Sequence, residues 1–522
     1  MRQKITHIVR NPLFQAFILP MLLWTVCTWQ PPLGNNTLIF SDCREQYYPF
    51  FLAFREALLS SESLQWTWSL GMGTDYLGLI AYYCTSPLYL PALLMPENWL
   101  LSYFCLLTPI KLALASLTMT FFLKNLTGRE DKALPIFGCL YSFCGWSLIF
   151  SLNIMWLDGL YMLPLVTWST IRLLRDQRTL PYILTLTATL LFNYYISIFI
   201  CMFVFLLFYC YQFCKWQGAK QFVLSLVRIT ISTIVVLCLA AVILIPAAHG
   251  LLNSSATQQS TIPVPITKYL IPVADQSEAA ASWQILRSTF EGNGAIFPAL
   301  WTAVKTTIPL ICKAIGHTIY QAALAGFYGN AVTSPPAIYC GIATIVLTFL
   351  CLLSKEKPKR EKIAYILILA IYALGMVFNG VSYVYHGFHY PAGFSYRFTF
   401  ILSFITITTA YQSWLRRENT HPWQALLAGG MTIGYLLLSA RFRASGIKEV
   451  NIFAIALFTL GMMSYKTVRV KHTATEEVPD ADGAASNRQD AKDPAPQKTK
   501  MKATASPASR RELPPLCPPV FC

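Results

Sequence analysis

Charge is what this chain has least of. Asp, Glu, Lys and Arg make up only 12% of its 522 residues, against ~25% in soluble domains. That scarcity, with 55% hydrophobic residues, excludes an ordinary water-soluble fold. Alternating strands of ~10 residues are also missing, which excludes an outer-membrane barrel. The 15 cysteines contain no CxxC pair and no Cys/His metal spacing, so neither a disulfide framework nor a zinc site is legible. Most of them (Cys105, Cys139, Cys201, Cys210, Cys238 and Cys351 among them) lie inside apolar runs, where a thiol acts as a small apolar group. No small-residue cleavage site follows the first apolar stretch, Leu13 to Trp29, only Gln30-Pro31-Pro32. That stretch therefore reads as a retained span, not a cleaved leader. A Gly-rich strand–helix unit on the basic-loop side is absent, which disfavours a soluble nucleotide sugar as substrate.

What is present is a series of apolar runs of roughly 17–25 residues, each long enough to cross a ~30 Å hydrocarbon core. They predict an all-α, polytopic membrane bundle of about twelve transmembrane helices, near 13–29, 98–123, 133–152, 157–172, 180–194, 195–214, 228–247, 337–354, 363–380, 397–415, 424–440 and 450–466. The net charge of +16 does not mark a nucleic-acid binder, because the basic residues sit in the alternate short loops. Lys124, Arg129 and Lys132 share one loop, Lys355, Lys357, Lys359, Arg360 and Lys362 another, and Arg416 and Arg417 a third. By the positive-inside rule these loops are cytoplasmic, as are both termini, and the protein is a multi-pass protein of the plasma membrane. The first loop on the other side holds Asp42, Glu45, Glu56, Glu62, Asp75 and Glu97 against Arg44 and Arg55.

Residues 1–471 thus read as one transmembrane domain with two long extracytoplasmic segments, 30–97 and 248–336; loops of that length are uncommon unless they do something. Residues 472–522 are rich in Ala, Pro, Ser, Lys and Asp and read as a disordered cytoplasmic tail. In the first segment, Tyr47, Phe50, Phe51, Phe54 and Leu58 repeat with helical spacing behind Pro49. This predicts irregular backbone from Asp42 to Gln46 leading into an amphipathic helix along the bilayer surface. Tyr82, Tyr83 and the Ser86-Pro87 step that follows suggest a partly re-entrant element.

Asp42 is the first candidate for catalysis. A loop aspartate often caps the next helix or pairs with a neighbour such as Arg44. This one lies among aromatic residues at an interface, where a carboxylate can serve as a base. Asp158 suits the N-cap of the next span, and could instead hold a cation or orient a substrate hydroxyl. His386, His389 and Arg397 sit among aromatics in a segment suited to phosphate and sugar, although an interfacial aromatic belt with a snorkelling Arg accounts for much of it. Asn193 and Tyr194, at a turn between two spans, read first as hydrogen-bonded structure. Gly71-Met72-Gly73-Thr74-Asp75 only weakly resembles a phosphate loop. His249, Arg287 and Glu291 could join the site from the second long segment. A divalent cation is compatible with these acids, but no ligand set specifies one.

Taken in order, several motifs resemble the bacterial YfhO membrane-protein family. They are Asp42-x-x-x-Gln46-Tyr47-x-Pro49-Phe50, Gly71-Met72-Gly73, Tyr82-Tyr83-x-x-Ser86-Pro87, Trp156-Leu157-Asp158, Pro164-Leu165, Asn193-Tyr194-Tyr195-Ile196 and His386-Gly387-Phe388-His389-x-Pro391-x-x-Phe394-x-Tyr396-Arg397. The resemblance implies a GT-C type glycosyltransferase with a long first extracytoplasmic loop, a polyprenyl-phosphate sugar as donor and a cell-surface polymer such as teichoic acid as acceptor. On that template Asp42 takes the place of the catalytic acid. Arg44, Gln46, Tyr47, Tyr82, Tyr83, Asp158, Asn193, Tyr194, His386, His389 and Arg397 then become candidates for substrate binding. Relatives usually continue into a longer extracytoplasmic part, whereas this chain ends in its polar tail. From the residues alone, two other readings stay open: a lipid or polysaccharide transporter or flippase, and a non-catalytic partner that binds glycolipid.

Overall fold

A computed structural model of the chain describes residues 9–252 and 338–463, apart from gaps at 31–33, 35, 38, 61, 378, 388–393, 395 and 442–453. His389, Arg287, Glu291, nearly all of segment 248–336 and the whole 472–522 tail lie outside the described residues.

The first apolar run forms α1 (Pro12–Thr28), whose start is set by Asn11: its side chain accepts from the Leu13 N–H. A short π-helical turn (Cys43–Tyr47) leads into α2 (Tyr48–Ser60). A two-stranded hairpin follows, β1 (Trp66–Thr67) against β2 (Thr74–Asp75), with Trp66 opposite Asp75. Gly73, at φ +98°, closes its turn; a Cβ there would lie 2.8 Å from both Trp66 and Trp68. The weak phosphate-loop motif is thus the turn of a hairpin. Next come α3 (Tyr76–Tyr83) and a 3₁₀ helix (Pro87–Leu94), bent by 105° at the break between them. That bend falls where Tyr82, Tyr83 and Pro87 suggested a partly re-entrant element, and its shape is that of a broken span or a re-entrant loop.

The bundle proper begins with α4 (Glu97–Thr127), α5 (Leu134–Ser142), α6 (Gly145–Ile149), a 3₁₀ turn (Ile154–Trp156) and α7 (Leu157–Asp176). It continues with α8 (Thr179–Phe192), α9 (Tyr194–Cys214) and α10 (Ala219–Leu252). After the undescribed segment come α11 (Ile342–Leu353), α12 (Lys359–Val377), α13 (Asn379–Tyr385), a 3₁₀ turn (Arg397–Thr399), α14 (Phe400–Leu415), α15 (Pro422–Arg441) and α16 (Ala454–Met463).

Among the described residues each expected span falls largely on helix, but 133–152 is broken into α5 and α6. The break is tied down from outside, since the Gly145 N–H donates to the Tyr339 carbonyl at 2.6 Å. The division between 180–194 and 195–214 falls at Asn193, which is extended (φ −161°, ψ 100°) while its side chain caps α9. Among the described residues α4, α9 and α10 are long and apolar enough to cross a bilayer, and the bent α3 pair makes a fourth if counted as one span. The protein is a helical membrane protein. Helix α4 is its axis: Leu107, Leu112, Met119 and Phe122 are fully buried. Helix α10 is the reverse, with Val223, Ile231, Leu239, Val242 and Ile245 exposed. An apolar helix that hides so little of its surface in the protein faces lipid.

Candidate functional site

Pro49 shapes the entry to the site. It has no N–H for the carbonyl four residues back, and the register widens there: the Tyr48 N–H bonds to the Cys43 carbonyl, five residues back. Residues 42–46, expected to be irregular, are therefore wound into one wide turn. Asp42 heads that turn without a side-chain capping bond. Arg44 pairs with Glu45 rather than Asp42, at 3.8 Å in an exposed contact, the kind worth least to stability. Helix α2 is held against the bundle by Phe51, whose ring packs on Phe104 and Tyr89 at 5.2 and 5.1 Å.

Asp42 is half-buried, and its charge acts on Tyr47 and Tyr83. Burial first, and the Asp42 carboxylate second, push the Tyr47 phenol well above its usual range, so it stays protonated. The Tyr47 oxygen accepts from Asn153 Nδ2 at 2.8 Å. Beyond it the aromatic rings continue: Tyr47 to Tyr83 at 5.7 Å, Tyr83 to Tyr82 at 4.6 Å, and Tyr82 to Tyr195 and Tyr194 at 5.9 and 6.1 Å. Polar bonds fix these rings. Tyr83 OH donates to Gln46 Oε1 at 3.3 Å, Trp156 Nε1 donates to Tyr82 OH at 3.2 Å, and Asn193 Nδ2 donates to the Tyr82 carbonyl at 3.2 Å.

The far side of the cluster is Arg397. Its guanidinium lies 4.8 Å from the Trp156 ring and 5.1 Å from the Tyr195 ring, and its Nε donates to the Phe394 carbonyl at 2.9 Å. Trp146 Nε1 donates to the Arg397 carbonyl at 2.8 Å, so the backbone beneath the charge is pinned as well. Arg397 acts electrostatically on Tyr82, Tyr83 and Tyr195. Tyr83 therefore feels both Asp42 and Arg397, two groups 355 residues apart in sequence.

Other candidates lie elsewhere. His386 is buried between Phe199 and Phe398, at 5.5 and 5.8 Å, with Nδ1 2.7 Å from the Ser382 carbonyl, so it packs beside Phe398, the neighbour of Arg397. His249 faces Asp75 at 3.8 Å, and Asp75 accepts from the Gly78 N–H at the start of α3. Asp158 does not cap its helix and does not face water. It is fully buried and pairs with Lys111 at 2.8 Å, while Ser86 Oγ donates to its other oxygen at 3.1 Å. Lys111 is fully buried too and also donates to the Ile154 carbonyl at 2.9 Å. Among the described residues no three His, Cys, Asp or Glu side chains gather as a metal site.

Sequence reasoning missed Asn153 and the Lys111–Asp158 pair. The pair had a signal: a lone lysine within one span and a lone acid at the head of another, each too costly to bury alone.

The family model of the bacterial membrane protein YfhO matches residues 16–277 and 303–474, a region that contains both Asp42 and Arg397. No curated protein matches the chain. With the match running through most of its length, the chain belongs to the YfhO family of bacterial membrane proteins.

Proposed function

We propose that this protein is a GT-C type glycosyltransferase that moves a sugar from a polyprenyl-phosphate donor to a cell-surface polymer of the teichoic-acid type. The observation that carries the reading is the Asp42–Tyr83–Arg397 arrangement, an acid and a cation flanking one bank of aromatic rings. Asp42 takes the proton of an acceptor hydroxyl or orients it. The hydroxyl oxygen attacks the anomeric carbon, the carbon–oxygen bond to the lipid phosphate breaks, and the phosphate leaves with the electron pair; the configuration inverts. Arg397 stabilises the negative charge that builds on the leaving phosphate. Tyr82, Tyr83, Trp156 and Tyr195 offer ring faces to the sugar and the prenyl chain, and Gln46 and Tyr47 supply fixed hydrogen-bonding groups.

The orientation is part of the proposal. Arg417 lies 3.9 Å from Asp131, and Lys215 acts on Glu361, so several basic loops lie together at one end. The positive-inside rule makes that end cytoplasmic and the Asp42 end extracytoplasmic. About twelve spans are read from the apolar runs, and with that even number the same rule makes both termini cytoplasmic.

A transporter reading gains one observation, the buried Lys111–Asp158 pair beside a broken helix. The pair is sealed and already bonded to Ser86 and Ile154, which suits an anchor better than a carrier site.

The test compares surface-polymer glycans of cells with the parental chain, with Asp42→Asn and with no chain. The reading expects the glycan to vanish in the last two. An unchanged profile without the chain removes the assigned reaction.

A further inference from the structure

Helix α14 has a second polar site at its other end. Its 16 residues put Arg416 about 24 Å from the Arg397 end. There the ends of α11 and α14 and the start of α15 enclose a cavity of about 130 Å³, lined by Gln412, Ser413, Arg416, Lys355 and His421 among others. A water needs roughly 10–15 Å³ of such space, so an anion fits.

Several of the lining side chains carry donors with no hydrogen-bond partner among the described residues. Gln412 is 4% exposed, and its Oε1 accepts from Lys357 Nζ at 2.5 Å and from Tyr365 OH at 3.0 Å. Two donors on Oε1 fix the amide orientation. Its Nε2 is left to donate, with no partner among the described residues. Ser413, 7% exposed, has a buried hydroxyl with no hydrogen-bond partner. Arg416 is half-buried and acts electrostatically on Glu361 and Lys357 without a close ion pair among the described residues, and Lys355 is exposed. Glu356, the acid in the lining, already accepts from Asn419 Nδ2 at 2.7 Å. The carbonyl ends of the helices are occupied: Gln424 Nε2 donates to Leu353 and Arg417 Nη1 to Trp414.

We propose that this cavity binds a phosphate-bearing anion. Arg416 and Lys355 supply the charge, and Gln412 Nε2 and Ser413 Oγ the neutral donors. An arginine fork and a lysine point charge suit phosphate oxygens. The site stands apart from the proposed transfer reaction and does not depend on it.

Two sources offer this chemistry, a free phosphate and an anionic lipid headgroup. Full-length protein in phosphatidylcholine nanodiscs is titrated with inorganic phosphate, with chloride at matched ionic strength as control. A second set of nanodiscs contains phosphatidylglycerol. Thermal unfolding midpoints report binding, because a ligand of the native state raises them. A saturable rise in the phosphate arm supports a free phosphate, and a rise confined to phosphatidylglycerol supports a headgroup. In either case Arg416→Gln weakens the apparent affinity about tenfold. Lys355→Gln, at an exposed position, weakens it severalfold and decides the matter if Arg416→Gln does not fold. No rise in either arm, or a rise that the folded variants keep undiminished, overturns the proposal.

Discussion

Removing one partner of the Lys111–Asp158 pair is the sharpest test of how the bundle holds the site. Both side chains have 0% exposure, and Nζ and Oδ2 are 2.8 Å apart. Lys111→Met leaves a sealed carboxylate with the Ser86 and Tyr161 hydroxyls as its remaining partners. Asp158→Asn leaves a sealed ammonium on a backbone carbonyl. Each single change should cost about 3–5 kcal/mol, a large part of the ~5–15 kcal/mol that keeps a domain folded. Lys111→Met with Asp158→Asn removes both charges and keeps an acceptor for Ser86, so the double variant should lose only ~1–2 kcal/mol. The expected coupling is then at least ~4 kcal/mol, well above the ~0.6 kcal/mol average of neutral bonds between spans. Unfolding titrations in detergent, followed by tryptophan fluorescence, measure all four chains. Singles within ~1 kcal/mol of the parent, or a double variant as damaged as the sum, would refute a paired buried charge. The effect should also reach the site. Ser86 stands at the 105° bend and spends its hydroxyl on Asp158 instead of capping the 3₁₀ helix, so the pair anchors the elbow that presents Tyr82 and Tyr83.

Other outcomes follow from single contacts. Tyr47→Phe strips the acceptor from buried Asn153 and should cost ~1–3 kcal/mol in the same titration. Arg397→Lys keeps the charge but loses the guanidinium packed between Trp156 and Tyr195; kcat/KM for the donor should fall at least about tenfold. Gly138→Ala would place a Cβ against Thr120 and 2.6 Å from the Ser116 carbonyl, forcing α4 and α5 apart at a cost of ~1–3 kcal/mol.

The helices are legible in the sequence because lipid forces backbone bonds to close within each segment, so an apolar run and a helix are nearly the same statement. The breaks were harder. Asn193 showed itself as a polar residue at a turn, but the break between α5 and α6 depends on Tyr339, almost two hundred residues away. Composition pointed to Asp42 because an acid among interfacial aromatics stands out. It could not show that Pro49 widens the turn beneath it, or that Arg397 folds back to the same rings. Asp158 misled for a related reason. A short polar turn looks solvated until the lysine that neutralises it, 47 residues earlier, is seen in space.

The central claim is that sugar transfer depends on the Asp42 carboxylate. Purified protein in lipid nanodiscs, given a radiolabelled polyprenyl-phosphate hexose and a teichoic-acid acceptor, measures this in a single turnover. The account predicts labelled polymer from the parental chain and a loss of at least about a hundredfold in Asp42→Asn, with the unfolding midpoint unchanged. Transfer by Asp42→Asn at the parental rate would contradict it.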